Sequence, residues 1–149
     1  MTRFARAELD REFEAYQERG SVAGQTGDWS PWADQFTEDA VYLEHLYGRF
    51  EGRAAIRRWI TSTMTQFPND QFTQFPIEWA MLDPDRGWIV CEVQNRMNDL
   101  GDGVIYQAAN LTKLHYSGDG QWSYEEDAYN PEAMARVVRA WLDARRSRP

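Results

Sequence analysis

Trp88-Ile89-Val90-Cys91-Glu92-Val93-Gln94-Asn95-Arg96-Met97 alternates with period two along its whole length, which is the pattern of a strand with two unlike faces. Ile89, Cys91, Val93, Asn95 and Met97 share one face. Trp88, Val90, Glu92, Gln94 and Arg96 share the other. The first set is the more apolar and is assigned inward, which carries Asn95 inside and leaves Arg96 outside. Three further stretches read the same way: residues 75–82 before it, and 104–116 and 122–129 after it. Turn-forming runs separate the four at residues 83–87, 98–103 and 117–120. Connections this short make successive antiparallel hairpins.

Upstream the period changes to 3.6. Leu9, Phe13 and Tyr16 form one stripe of a first helix, expected to stop near Gly20, with a small polar loop over residues 21–27. Ser30 as N-cap and Pro31 in the first turn open a short helix carrying Trp32 and Phe36. Residues 40–47 read as a first strand. Gly52 then opens a third helix with Ile56, Trp59, Ile60, Thr63, Met64 and Phe67 on one face, closed by Pro68. Downstream, Asn130-Pro131 caps a last helix whose stripe is Met134, Val137, Val138, Trp141 and Leu142. Helices gathered at the ends of an unbroken run of strands imply an α+β fold. It is a single domain over residues 1–149, in which a cone-shaped, curved antiparallel sheet packs on N-terminal helices with a C-terminal helix added. A sheet curled round helices leaves a blind hollow between the layers, where small ligands sit.

The bulk composition narrows the partners. A formal charge of −8 disfavours nucleic acid and anionic membranes, which need a basic footprint. Cys91 is the only cysteine, so no internal disulfide can form. Without an apolar signal-like or membrane-spanning run, a cytoplasmic location is expected, and the glycosylation-like Asn110-Leu111-Thr112 carries no weight. Aromatic residues make up 14% of the chain, which suits a wide pocket as well as a solid core.

Alternation also nominates the inward polar groups. Val104, Tyr106, Ala108, Asn110, Thr112 and Leu114 form the inward set of their strand, opposite Lys113 and His115. On the last strand, Ser123, Glu125, Asp127 and Tyr129 oppose Trp122, Tyr124, Glu126 and Ala128; both faces hold acid, and periodicity alone favours the Trp122 face as buried. On the first strand Tyr42, Glu44 and Leu46 oppose Val41, Leu43, His45 and Tyr47, so only one of Glu44 and His45 can enter the cone. A carboxylate among apolar groups costs several kcal/mol to desolvate unless it is paired, protonated or used in chemistry. Glu44 could instead be a strand-end acid paired with Arg49, Arg53 or Arg57, Asp127 a cap or rim acid, and His45 a rim histidine. Glu44, His45 and Asp127 lack a recognisable metal-ligand spacing, so no metal site is assigned.

Gly27-Asp28-Trp29, then Phe36-Thr37-Glu38-Asp39-Ala40-Val41, then Phe50-Glu51-Gly52-Arg53-Ala54-Ala55-Ile56 make a pattern that resembles the nuclear transport factor 2-like superfamily. Within it, the chain is most similar to SnoaL-like polyketide cyclases and their ketosteroid isomerase and limonene epoxide hydrolase relatives. The resemblance implies a cone of bent sheet plugged by helices, usually dimeric through the outer sheet face. It places Glu44 where ketosteroid isomerases have their general-base aspartate, and Asp127 where cyclases and epoxide hydrolases have a base on the last strand. It also marks departures. The isomerases' second acid would lie at Thr112, beside Asn110, and their helical tyrosine is matched loosely by Phe13 or Tyr16. Asn95 replaces one acid of the epoxide hydrolase set, and no Arg is expected inside.

Together these readings predict a cofactor-free enzyme that holds a hydrophobic, carbonyl-bearing small molecule and works by carboxylate acid–base catalysis: aldol-type cyclisation, isomerisation or dehydration. Asp127, Glu44 and His45 are the catalytic candidates, and Tyr16, Trp32, Trp59, Asn95, Tyr106, Asn110 and Thr112 the substrate contacts. The alternative is a non-catalytic binding or dimerisation module. A homodimer is expected through Val90, Glu92, Gln94, Ile105, Gln107 and Lys113.

Overall fold

The computed structural model describes residues 2–148. Four helices, α1 (Arg6–Thr26), α2 (Ser30–Ala33), α3 (Arg53–Met64) and α4 (Pro131–Arg146), accompany seven strands. The strands are β1 (Phe36–Glu44), β2 (Gly48–Glu51), β3 (Phe72–Gln74), β4 (Ile77–Asp83), β5 (Trp88–Met97), β6 (Gln107–Gly118) and β7 (Gln121–Ala128). They form one sheet in the order β2-β1-β7-β6-β5-β3, with β4 also on β5. The expected α+β arrangement of curved sheet and helices is present. Every pair is antiparallel except β1 with β7, which is parallel and makes the sheet mixed.

β5 has the bounds its alternation predicts, and Ile89, Cys91, Val93 and Met97 are all buried. Its partner β6 buries Ala108, Asn110, Thr112 and Leu114, as its pattern requires. The core joins Ile89, Cys91, Val93 and Leu114 to Leu9, Phe13 and Tyr16 of α1, Ile56 and Ile60 of α3, and Trp122 of β7. Each large side chain so buried is worth about 1.5–3 kcal/mol. A smaller cluster seats α4, where Trp141 packs with Phe72 and Met97 and donates its indole N–H to the Asn98 carbonyl at 2.8 Å.

Several local expectations are corrected. α1 does not stop near Gly20 but runs through the expected loop to Thr26, ending on Gly27 in the left-handed conformation (φ 78°). Gly24 lies inside the helix because α1 touches β3 there; a β-carbon would fall 2.5 Å from the Thr73 carbonyl oxygen. Ser30 is the first helical residue of α2, not its N-cap, and its N–H is taken by Asp28 Oδ1 at 3.0 Å. Phe36 begins β1 instead of ending a helix, and β1 stops at Glu44, so His45, Leu46 and Tyr47 belong to the turn into β2. α3 ends at Met64, before Pro68. β6 begins at Gln107, since residues 104–106 stay off the sheet, with the Val104 N–H bound by Asp102. Of the expected outer-face residues, Ile105 therefore lies in a loop, and Gln94 is buried, its backbone N–H held by the Pro76 carbonyl. Among the described residues, no helix is long and apolar enough to cross a membrane.

Candidate active site

The sheet register sets inward side chains in rows. Tyr42 lies opposite Glu125, which lies opposite Leu114 and, across β6, Ile89. The next row is Glu44, Asp127, Thr112 and Cys91, and Asn110 stands beside Val93 one step further on. Over these rows α1, α2 and α3 set Tyr16, Trp32 and Trp59, enclosing a cavity of about 180 Å³. Its polar lining includes Glu44, Asn95, Asn110, Thr112, Glu125 and Asp127, and no Lys, Arg or His is among the described lining residues.

Three tyrosine hydroxyls each meet one of the three carboxyl groups. Tyr16 donates to Glu125 Oε1, Tyr42 to Asp127 Oδ2, and Tyr129 to Glu44 Oε2 at 3.2 Å. The Thr112 hydroxyl donates to Asp127 Oδ1 at 2.7 Å and accepts from the Asn110 amide at 3.0 Å. That chain of donors leaves Asn110 Oδ1 as a free, buried acceptor, and Glu125 Oε2 is another. Trp59 Nε1 is a buried donor without a partner.

Desolvation dominates the electrostatics. Burial pushes the Glu125 carboxyl well above the usual range, the Asp127 charge pushes it further, and the Tyr16 hydroxyl pulls it back. Asp127 is raised by burial against the pull of Thr112 and Tyr42. Glu44 is raised by burial, opposed by the amides of Leu46 and Tyr47 and by Tyr129. A carboxyl whose pKa is raised is a stronger base when ionised and keeps its proton to higher pH, which suits it to proton transfer.

The three arginines named above as partners for Glu44 are engaged elsewhere: Arg49 with Glu51, Arg53 with Glu38 and Arg57 with Asp34. Asp127 is no rim acid; it opens into the hollow. His45, by contrast, leaves the candidate set. β1 ends just before it, and its Nε2 lies 2.7 Å from Glu126 on the outer face. Tyr106 does not line the cavity either; it precedes β6, packs against the cluster under α4 and gives its hydroxyl to Asp102 at 2.7 Å. Tyr16, Trp32, Trp59, Asn95, Asn110 and Thr112 line the cavity.

Glu125 is the acid that alternation did not single out. Trp122 pairs with Tyr116 while Tyr124 pairs with His115, so Ser123 is an extra residue, and the bulge turns Trp122 and Glu125 to the same side. Tyr42 follows its predicted face, whereas Tyr129, just past the end of β7, lies inside with Glu125 and Asp127 on the face that periodicity did not favour as buried; the hydroxyls of both mark them as site residues once the acids are located. Among the described residues no group of three or more His, Cys, Asp or Glu side chains is arranged to hold a metal ion.

Comparison with known proteins agrees with this architecture. No curated protein matches the sequence. Among solved structures, an LEH-like epoxide hydrolase of M. tuberculosis is 16% identical and covers 93% of this chain and 94% of its own, with a TM-score of 0.66. The epoxide hydrolase/cyclase-like enzyme SalBIII, tied to pyran ring formation in the polyether salinomycin, is 14% identical over 85% and 94%, with a TM-score of 0.64. A hypothetical protein with a ketosteroid isomerase-like fold from Catenulispora acidiphila, in complex with trimethylamine, is 18% identical over 79% and 87%, with a TM-score of 0.63. At these identities the likeness is one of fold. The model for the SnoaL-like domain matches residues 13–122, most of the sequence, and the chain belongs to that family.

Proposed function

We propose that this protein is a cofactor-free acid–base enzyme acting on a small carbonyl-bearing molecule held in the cone. The observation that carries the reading is the adjacent pair Glu125 and Asp127, two acids in one aromatic hollow with unequal surroundings. Asp127 receives two hydroxyl donors, which favour its charged form. Glu125 receives one and is more deeply buried, so when the pair holds a single proton it rests on Glu125. Groups whose environments separate their proton affinities take opposite roles in proton transfer. Asp127 then removes a proton from the carbon beside the carbonyl, while Glu125 donates a hydrogen bond through Oε2 to the oxygen on which the enolate charge develops. Cyclisation by an aldol step, isomerisation and dehydration all begin this way.

The test works whatever the natural substrate is. Small ketones incubated in D2O exchange their α-protons when a base of this kind is present, and NMR reads the loss. Wild-type protein is expected to accelerate exchange. Asp127→Asn and Glu125→Gln, confirmed as folded, should each reduce it by roughly 10²–10⁴-fold. Exchange by both variants at the wild-type rate overturns the assignment, and binding of ketones without any exchange makes the protein a binding module.

A further inference from the structure

Glu44 stands apart from the acid–base pair. It is 4% exposed, and its three partners are all donors: the Leu46 amide at 2.8 Å, the Tyr47 amide at 3.3 Å and the Tyr129 hydroxyl at 3.2 Å. Each of these donors favours the charged form, against the burial that raises the carboxyl's pKa. A buried carboxylate ordinarily has a cation beside it, because an uncompensated charge in an apolar setting is among the costliest groups a fold can carry. Here there is none. The cavity's described lining holds three carboxyl groups and no basic side chain, and the arginines nearest in sequence are paired with other acids. The titratable groups facing the three acids within the hollow are Tyr16 from α1, Tyr42 from β1, Cys91 from β5 and Tyr129, none of them a cation; His45 acts on Asp127 only from outside the hollow, where it is paired with Glu126. His45 lies on the opposite face of the sheet.

Two further observations point at what is missing. Asn110 Oδ1, on a residue 7% exposed, lines the same hollow as a buried acceptor without a donor. Its orientation is set by the amide-to-Thr112-to-Asp127 chain, so it can only accept. The walls beside Glu44 are aromatic: Trp59 has Tyr42 at 4.9 Å and Tyr47 at 6.0 Å between ring centroids, and both line the cavity. Phe50 stacks on one face of Trp59 at 4.5 Å, and the free N–H of Trp59 lies in the ring plane, so a cation would meet this ring only on the side away from Phe50. Aromatic faces, an unpaired carboxylate and a free carbonyl acceptor together suit a compact positive charge that also donates N–H bonds.

We infer that the ligand carries a protonated amine, seated against Glu44, Asn110 Oδ1 and the faces of Tyr47 and Trp59, while its carbonyl reaches the Glu125 and Asp127 pair. The inference rests on the acid–base reading only for the position of the carbonyl. A dry cavity of roughly 150 Å³ accepts one benzene ring, so about 180 Å³ admits a singly substituted ring.

Three probes of one size and different charge decide it: benzylamine, charged at neutral pH, benzyl alcohol and benzoate, titrated into the full-length protein by calorimetry and NMR. Benzylammonium should bind at least about tenfold more tightly than benzyl alcohol, and benzoate the most weakly. The amide signals of Leu46 and Tyr47 should move with the amine. In Glu44→Gln the advantage of the amine over the alcohol should fall to about twofold or less. Equal or tighter binding of the alcohol or benzoate by the wild type overturns the proposal, whether or not the variant folds. So does a failure of benzylammonium to bind at millimolar concentration, or an amine preference that survives Glu44→Gln. If the alcohol outranks the amine while Asp127→Asn still abolishes proton exchange, only the ligand's charge is misassigned. If the amine preference holds while exchange is unaffected by Asp127→Asn, only the acid–base assignment fails.

Discussion

Tyr16 on α1 and Glu125 on β7, 109 residues apart in sequence, meet in a buried hydrogen bond that leaves the other oxygen of the acid without a partner. The contact fixes the acid under the helix layer, and its cost is legible in the pH dependence of stability. Glu125 has a folded-state pKa well above its unfolded value, so between the two the folded protein holds the extra proton. Stability then falls as pH rises through that window, and the penalty is absent below the unfolded carboxyl value of about 4.3. Glu125→Gln keeps the shape and an acceptor for Tyr16 while removing the titration. The variant should therefore show a higher urea midpoint than wild type near neutral pH and an equal one at about pH 4. A lower midpoint at neutral pH would refute the claim that burial of this acid destabilises the fold.

Tyr42 donates to Asp127 and is one of two hydroxyls that hold its proton affinity down. Tyr42→Phe removes that donor and nothing else of comparable polarity. Under the proposed mechanism the active form of Asp127 is the anion, so the acidic limb of the pH profile for proton exchange should move to higher pH in the variant. The loss in rate should be greatest at low pH and shrink as pH rises. A uniform loss at every pH would mean that Tyr42 shapes the cavity without tuning the base.

How much of this was readable from the residues follows from where the chain keeps a strict period. β5 alternates without interruption and is paired on both sides, so both its bounds and its faces could be read. β7 contains one extra residue at Ser123, and period-two reasoning has no means of locating a bulge; the acid it turns inward, Glu125, was hidden for that reason. The end of α1 was obscured by Gly20 and Gly24, which read as breakers. Gly24 is instead the point at which helix and sheet approach too closely for a side chain. His45 failed as a candidate because Glu44 takes the inward place at the end of β1, which leaves its neighbour outside, as alternation allows for only one of the two.

On the outer face, His115 is stacked between Trp88 at 4.2 Å and Tyr124 at 4.5 Å, with its Nε2 buried and unpartnered. Burial first, and Lys113 second, lower its pKa from 6.5 to about 4. A histidine depressed in this way binds fewer protons folded than unfolded, so it contributes stability that is present above about pH 6.5 and lost as pH falls toward about 4. An NMR titration of the ring should give a midpoint near about 4. A midpoint at or above 6.5 would show that the stack is open to water.

The same face carries an apolar patch centred on Glu92. Trp79 and Leu111 lie directly across from Glu92 on the neighbouring strands, and Met81 lies across from Val90. Met81 is 70% exposed, Leu111 45% and Trp79 41%, although all three belong to strands of a folded sheet. Large apolar side chains exposed on neighbouring strands mark a candidate association site, and a two-fold dimer would bring the same patch of each copy together. The protein is expected to sediment as a dimer at micromolar concentration. Met81→Arg should weaken that dimer by about 2–4 kcal/mol, because it replaces the most exposed apolar side chain of the patch with a charge that the contact would have to desolvate. The substitution lies on the far side of the sheet from the cavity, so monomeric variant protein should keep its benzylammonium affinity within about twofold. A wild-type monomer under these conditions would remove the dimer from the account, and loss of amine binding in a folded monomeric variant would show that the cavity is completed by the partner copy.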